Sequence, residues 1–196
     1  EKIKTLNKVS GAVSKYNKQT QVNTILPGIK LVHRHSSLSN TFNLQVYIKG
    51  GLTEETPNSN GTFNLLTGLL NADTKNKTKD ESKFLFESLA ASFSTFSGKN
   101  AYGLNLSGIC DKFSELTEQF FDHLLHSTFN QKDLDFEKLM VQQSLLAQKE
   151  DPVRQCFDEV SRIAFGDHPY SMKNMGTLNS IKNIKVSELK ELHEKN

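Results

Sequence analysis

Two histidine pairs have the residue type and spacing that could bind a metal ion. His33 and His35 are two positions apart in a strand-like segment, so both side chains would share one face of a strand. His123 and His126 are three positions apart in a helical pattern and could chelate from one helix face. Neither pair has a third ligand at a metal-site spacing. We therefore interpret the first pair as solvated and the second as flanking a Phe-rich apolar stripe.

Other common catalytic patterns are missing from the sequence. No Gly-x-Ser-x-Gly nucleophile motif occurs, and Gly50-Gly51 predicts the end of a strand, because no helix-opening Gly pattern with a Lys follows it. Cys110 and Cys156 lie in separate predicted elements. They could pair in space, but we interpret them as isolated buried thiols.

Residues 61–74 (GTFNLLTGLLNADT) have a more informative pattern. They follow a strand that ends in Gly-Gly and an acidic loop, residues 53–56. This layout resembles the inverted zinc motif of the pitrilysin/insulinase metallopeptidases, in which a helix carries Gly-x-x-His-x-x-Glu-His and a Gly-Thr pair follows. In that motif two histidines four positions apart bind zinc, and the glutamate activates the metal-bound water as a general base.

The ligand positions of that motif are substituted in this sequence. The resemblance places Asn64 and Gly68 at the two histidine positions and Thr67 at the glutamate position, while Asp73 stands at the last glycine position. Asparagine is a poor zinc ligand, threonine is no general base near neutral pH, and glycine has no side chain. We therefore expect no catalytic residue and no hydrolytic zinc site in this domain.

The resemblance extends over about residues 22–196. Residues 91–102 match the strand, turn and strand that the family places beside its active cleft, and the helix predicted over 131–150 matches the one with the third zinc ligand. Glu137 fits the first acid of that helix, whereas the third ligand falls near Ser144. The later His168-Pro169-Tyr170 also resembles the family's closing section.

Strands and helices that must position these residues follow from hydrophobic periodicity and turn signals. Hairpins are expected around Pro27-Gly28 and Gly98-Lys99-Asn100. The clearest strand is Thr41–Lys49, because Phe42, Leu44, Val46 and Ile48 alternate with polar residues. The first two helices are predicted over 62–71 and from a capping box at Thr78–Glu81 to about Ser92. Two more follow, one that begins at Phe113 and carries the Phe-rich stripe and one over 131–150. The last two are predicted from Pro152 onward and over Glu188–Lys195, with Ser187 as the cap of the second.

This order of elements favours an α+β fold with an antiparallel β-sheet and α-helices packed on one face, since strands and helices do not alternate regularly. The resemblance implies the LuxS/MPP-like metallopeptidase version of that fold. We expect residues 1–20 to be a linker or a loosely docked arm and residues 21–196 to be a single degenerate pitrilysin-like domain. A chain that starts at Glu1 with a Lys-rich arm fits excision from a longer polypeptide.

Composition excludes several classes of protein. The chain has 196 residues with a net charge of +2, so a dedicated nucleic-acid binder is not favoured. Two cysteines are too few for a disulfide scaffold, and no apolar run has the roughly 18 residues needed to span a bilayer.

The resemblance implies a non-catalytic domain that packs on a homologous catalytic domain or half and forms part of a chamber for an unfolded peptide. Zinc is expected only in that catalytic partner. The parent protein or complex would be a zinc metalloendopeptidase, in a periplasmic, envelope or organellar location. Candidate chamber walls are the polar face of Thr41–Lys49 and the segment around residues 100–107, although both could be solvated strands. The alternatives are a structural core subunit of a respiratory cytochrome bc complex and a peptide-binding scaffold without any peptidase partner.

Overall fold

The computed structural model describes residues 20–195, which contacts divide into two units at the boundary between Asn40 and Thr41. In the first unit, β1 (Thr20–Leu26) pairs with β2 (Ile29–Arg34) in an antiparallel hairpin. Gly28 has a φ of 86°, which suits the turn residue after Pro27. The expected first hairpin is therefore confirmed. The arm expected over residues 1–20 lies outside the described residues, apart from Thr20.

The second unit contains a three-stranded antiparallel sheet. Its strands are β3 (Thr41–Lys49), β4 (Ser92–Ser97) and β5 (Ala101–Ile109), in the order β3-β5-β4. Val46 and Thr95 both pair with Leu104, so the three strands lie in register across the middle of the sheet. The expected hairpin between β4 and β5 is confirmed, and β5 is the central strand.

The helices of the second unit are mostly those that the sequence predicts. They are α1 (Thr62–Leu70), α2 (Lys79–Ser88), α3 (Phe113–His126), α4 (Gln131–Gln148), α5 (Pro152–Phe165), α6 (Leu178–Asn183) and α7 (Val186–Lys195). Single 3-10 turns occur at Leu52–Glu54, Cys110–Lys112 and Pro169–Ser171. The capping box at Thr78 and the position of Pro152 in the first turn of its helix are both confirmed.

Two helix ends differ from the prediction, and one helix was not predicted. Helix α2 ends at Ser88 rather than near Ser92, because Ala90 adopts a φ of 50° and β4 begins at Ser92. Helix α7 starts at Val186, and Glu188 rather than Ser187 accepts the N–H of Lys185 at that end. Helix α6 was not predicted, although Thr177 and Ser180 form a capping box that could have revealed it.

Helices cover one face of the three-stranded sheet. Tyr102, Leu104 and Leu106 of β5 are fully buried against the leucines of α1 and against Phe120 of α3. The four alternating apolar residues of β3 are half-buried and pack against the same core, as the sequence predicts. The α+β class with an antiparallel sheet and helices on one face is therefore confirmed.

Candidate functional site

Helix α1 carries the positions of the degenerate zinc motif, and a buried carboxylate holds its N-terminus. Glu55, which is 5% exposed, accepts hydrogen bonds from the N–H groups of Gly61 (2.8 Å) and Phe63 (2.9 Å) and from the amide nitrogen of Asn60 (2.9 Å). Gly61 takes a φ of 96°, in the left-handed region that favours glycine. A carboxylate at this end satisfies free backbone donors and is favoured by the helix dipole.

A second loop is tied to the same helix end. The side-chain amide of Asn60 donates to the backbone carbonyl of Lys173 (2.8 Å). The backbone carbonyl of Asn60 accepts a hydrogen bond from the hydroxyl of Ser180 (2.6 Å). The sequence analysis identified the acidic loop but gave Glu55 no role. The signal that was available is a carboxylate shortly before a helix whose first residues offer no side-chain cap.

The C-terminal end of α1 is held by a histidine. His123 of α3, which is 1% exposed, bonds through Nδ1 to the carbonyl of Leu70 (3.0 Å). A carbonyl only accepts, so Nδ1 carries the proton and Nε2 presents a lone pair, which is buried without a hydrogen-bond partner. Burial lowers the pKa of His123, although the bond to Leu70 and the charge of Asp122 act in the opposite direction.

The three motif positions on α1 make contacts that are structural. Thr67 is buried and donates its hydroxyl to the backbone carbonyl of Asn64 (2.9 Å), while its own carbonyl accepts the hydroxyl of Thr95 in β4 (2.9 Å). Asn64 is half-buried. The hydroxyl of Thr67 is thus used within its own helix and helps to fix the helix under the sheet.

The side chain of Glu137 from α4 occupies the space next to Gly68. A Cβ placed on Gly68 would lie 2.7 Å from Oε2 of Glu137, and the other carboxylate oxygen of Glu137 lies 3.5 Å from the ammonium of Lys79. The absence of a side chain at Gly68 therefore lets an ion pair approach the helix. The assignment of the third ligand position near Ser144 stays a prediction.

These residues do not fit a zinc ion. The positions that would supply two imidazoles and a general base hold an amide, a back-bonded hydroxyl and no side chain, and the nearest carboxylate is paired with a lysine. Nowhere between residues 20 and 195 do three His, Cys, Asp or Glu side chains come together in a way that could hold a metal ion.

In the part of the chain that the structure describes, neither histidine pair joins further ligands in a group that could hold a metal ion. His33 lies in β2 and His35 follows the end of that strand, and both are exposed. His126 bonds through Nδ1 to Asp122 (2.9 Å), so it points to a different partner from His123. The interpretation of this pair as flanking a stripe is wrong for His123, because the ring lies inside the core, 4.7 Å from the ring of Phe93.

The interpretation of the two cysteines as buried is also wrong. Cys110 and Cys156 are both free and exposed. Cys110 begins the 3-10 turn after β5, where the chain leaves the sheet. Cys156 lies on α5, a helix with no buried residue. The burial that is usual for free cysteines was a poor guide here, because no residue of α5 is buried.

The face of the three-stranded sheet away from the helices is polar with one aromatic pair. Asn43 of β3 donates to Asn105 of β5 (3.1 Å), and the ring of Tyr47 lies 5.1 Å from that of Phe96 in β4. The segment around residues 100–107 lies mostly in β5, which pairs on both sides and so has no free edge, and its role as a chamber wall stays a prediction. In this sheet the outer strands are β3 and β4.

A family model described as insulinase (peptidase family M16) matches residues 30–178, most of the chain. The chain belongs to this family. The pitrilysin/insulinase resemblance read from residues 61–74 is therefore confirmed, and the chain is an M16-like domain. The assignment of Asn64, Thr67 and Gly68 to the ligand and base positions of the motif helix stays a prediction.

Two curated proteins and one solved structure are similar to this chain. The chain is 22% identical over 165 residues to the uncharacterized zinc protease YmxG of Bacillus subtilis, covering 84% of this chain and 40% of that protein. It is 22% identical over 176 residues to cytochrome b-c1 complex subunit 1, mitochondrial, of Caenorhabditis elegans, covering 90% of this chain and 37% of that protein. A crystal structure of a peptidase M16 inactive domain from Pseudomonas fluorescens superposes with a TM-score of 0.82 at 23% identity, covering 89% of this chain and 42% of that one.

These M16 proteins are longer than the present chain, which spans about 40% of the length of the curated relatives it matches. At 23% identity, the solved structure supports the fold alone. Within the described residues, none of the helices is both long enough and apolar enough to cross a membrane.

Proposed function

We propose that this domain forms part of the wall of a peptide-substrate chamber and packs on a catalytic M16 half that carries the zinc. The observation that carries the proposal is the one-sided sheet: helices fill one face, while the other face is polar and ends in an outer strand, β4. A domain with no ligand set of its own can contribute to peptide hydrolysis by holding the substrate, which needs a surface of this kind.

An extended peptide can bind β4 through main-chain hydrogen bonds. Hydrogen bonding alternates along an antiparallel pair, so every second residue of β4 directs its N–H and C=O away from β5. Pairing with these groups is tolerant of peptide sequence, which suits a chamber that accepts unfolded peptides. Ser92 and Ser94 are exposed on this strand.

The peptide proposal can be tested with a proline substitution in β4. The bond from the Gly98 N–H to the Ala101 carbonyl fixes the alternation, so Ser94 bonds β5 and Thr95 directs its N–H outward. Thr95→Pro removes that N–H, and we expect it to lose binding of a fluorescent ten-residue extended peptide, measured by anisotropy. Thr95→Val is the matched control, because it loses the same hydroxyl bond to Thr67 but keeps the N–H and should bind normally. Equal peptide binding by the two variants would contradict pairing at β4.

Helix α5 is the surface that we propose to dock on the catalytic half. Val153, Phe157, Val160 and Ile163 lie on one face of α5 and are 55 to 71% exposed. Large apolar residues in a continuous exposed stripe mark an interaction surface. The occupant we propose is a second M16 domain, because the relatives are more than twice as long as the region that this chain matches.

Cysteine labelling can test the docking proposal. Cys156 lies on the apolar face of α5, and Cys110 lies elsewhere, so both thiols can be followed in one sample. When the chain is mixed with a catalytic M16 half, we expect iodoacetamide to label Cys110 and to spare Cys156. Val160→Asp should abolish co-purification with that half. Phe84→Asp, at an apolar residue that is 73% exposed on α2, should not.

A structural role in a cytochrome bc complex is the second candidate. It is supported by the similarity to cytochrome b-c1 complex subunit 1 over 90% of this chain. Affinity purification of the tagged protein from its own cells separates the two functions. Haem-containing partners and no peptidase activity would favour the bc complex, whereas a partner with an intact zinc motif would favour the chamber.

A further inference from the structure

A cavity of about 230 Å³ lies between α5 and the segment over residues 170–175. Lys99, from the turn between β4 and β5, and Gln148, at the end of α4, also line it. Pockets for drug-sized ligands usually measure about 300–1,000 Å³. The cavity is therefore suited to a smaller group, of the size of one amino-acid residue.

The charges around this cavity favour an anion. Three cationic side chains line it, Lys99, Arg154 and Lys173, against one carboxylate, Asp158. Both oxygens of Asp158 face cations, because the ammonium of Lys173 lies 2.6 Å from Oδ2 and Nε of Arg154 lies 4.0 Å from Oδ1. The carboxylate is shared by two of the cations, and the cavity keeps an excess of positive charge.

The ammonium of Lys99 is the charge that Asp158 does not neutralise. It lies 4.5 Å from the ring centre of Tyr170 and 4.9 Å from that of Phe165, and the described residues give it no carboxylate partner. Aromatic faces hold an ammonium without cancelling its charge. The hydroxyl of Tyr170 accepts a hydrogen bond from Asn100 (2.6 Å), so its own hydrogen is available for donation to a ligand.

The remaining lining is apolar, with Phe157, Met172 and Met175. We infer that this cavity binds a carboxylate group that stands next to an apolar side chain, as in a C-terminal leucine residue. The choice of a peptide as the source of that carboxylate rests on the proposed function. An acidic side chain within a peptide offers the same chemistry, so the experiment must separate the two sources.

Methyl NMR can report binding at this site, since the chain has three methionines. Met172 and Met175 line the cavity, whereas Met140 lies on α4 outside it. The probes are N-acetyl-leucine, N-acetyl-leucinamide and N-acetyl-glutamic acid α-amide, each titrated into the 196-residue chain. We expect N-acetyl-leucine to shift both cavity methionines and to leave Met140 unchanged, with a dissociation constant that rises with salt because the attraction is ionic. The leucinamide should bind roughly tenfold more weakly.

Substitutions at Lys99 test which group binds the carboxylate. Lys99→Met keeps the length of the side chain and removes its charge, so we expect roughly tenfold weaker binding of N-acetyl-leucine. Lys99→Arg keeps the charge and should retain binding. Lys112→Met is the matched control, because Lys112 pairs with Glu115 outside the cavity.

The outcomes separate this inference from the proposed function. Binding of N-acetyl-leucine alone identifies a C-terminal carboxylate, and binding of the glutamic acid probe as well extends the site to acidic side chains. Equal binding of the amide, or unshifted Met172 and Met175 with every probe at its solubility limit, overturns the inference. If the small acid binds here but extended peptides do not pair with β4, the inference stands and the chamber proposal fails.

Discussion

Helices α1 and α5 are built in opposite ways. Six of the nine residues of α1 are buried, its first turn is bonded to the buried carboxylate of Glu55, and its last carbonyls include the partner of His123. Helix α5 has a Pro at its start and an Asp cap, yet none of its residues is buried. Both helices have apolar residues at helical spacing, but one set lies in the core and the other lies outward.

Under the proposed function, this contrast makes α1 a structural helix and α5 a binding helix. In the M16 motif, α1 is the helix that would hold the metal. Here Thr67 donates its hydroxyl to the carbonyl of Asn64, and Gly68 leaves room for the side chain of Glu137. The surfaces that we propose for interaction are α5 with the cavity beside it and the polar face of the sheet. Substitutions in α1 and its supports should therefore affect stability, and those on α5 should affect binding.

The largest expected effect is that of Glu55→Ala. The substitution leaves two backbone N–H groups and the amide of Asn60 without their acceptor in a buried place. We expect the free energy of unfolding to fall by about 3 kcal/mol. Urea denaturation followed by circular dichroism measures it. Glu54→Ala changes an exposed neighbour and should stay within about 0.5 kcal/mol of the parent. A similar loss of unfolding free energy in Glu55→Ala and Glu54→Ala would show that the hydrogen bonds of Glu55 do not account for the effect.

A smaller effect is expected from pH at the other end of α1. Because burial lowers the pKa of His123 in the folded protein, the unfolded chain binds more protons, and stability falls as pH drops below about 6.5. This single group contributes a slope of at most about 1.4 kcal/mol per pH unit. Lys77 lowers the pKa further and Asp122 raises it.

His123→Phe should make the melting temperature less dependent on pH between 7 and 5. A residual slope is expected from His193, since burial lowers its pKa as well. Thermal melts at intervals of pH measure both slopes. An unchanged slope in the variant would show that another group carries the pH dependence, whatever the loss of stability at pH 7.

Apolar residues of α5 should contribute little to the stability of this chain. For Val160→Asp and Ile163→Asp we expect changes in the free energy of unfolding within about 0.5 kcal/mol, because both side chains are more than half exposed. The same urea experiment checks this value. A loss of 2 kcal/mol or more, at the level of a buried leucine truncation, would mean that α5 belongs to the core of the domain and is no free docking surface.

The smallest expected effect is the gain of activity from a restored motif. Asn64→His, Thr67→Glu and Gly68→His together should give no cleavage of a fluorogenic peptide, because the third carboxylate predicted near Ser144 is still missing. The new side chain at position 68 also has to displace Glu137. Parent protein purified in metal-free buffer should hold less than stoichiometric zinc by plasma mass spectrometry.

Peptide cleavage by that triple variant would place the third ligand elsewhere. Glu137 is the carboxylate beside position 68 and would then be the residue to substitute, with Glu137→Gln expected to abolish the activity. Adding Ser144→Glu to the triple variant is the parallel arm, which should increase zinc affinity if the predicted position is right.

The amino-acid sequence by itself determined the local structure of this protein. Alternation in Thr41–Lys49, the Pro27-Gly28 turn and the capping box at Thr78 act through neighbouring residues, so their strand, hairpin and helix are confirmed. The interpretation of positions 64, 67 and 68 as a motif without zinc ligands rests on the resemblance to the family together with side-chain chemistry, and it stays a prediction.

Tertiary structure alone decided what each of these residues contacts. Glu55 at α1, the burial of His123, the exposure of Cys110 and Cys156, and the central place of β5 all depend on parts of the chain that are distant in sequence. Hydrophobic periodicity predicts that a helix has an apolar face but carries no information about whether this chain covers that face. For α5, the residues between 20 and 195 leave that face uncovered.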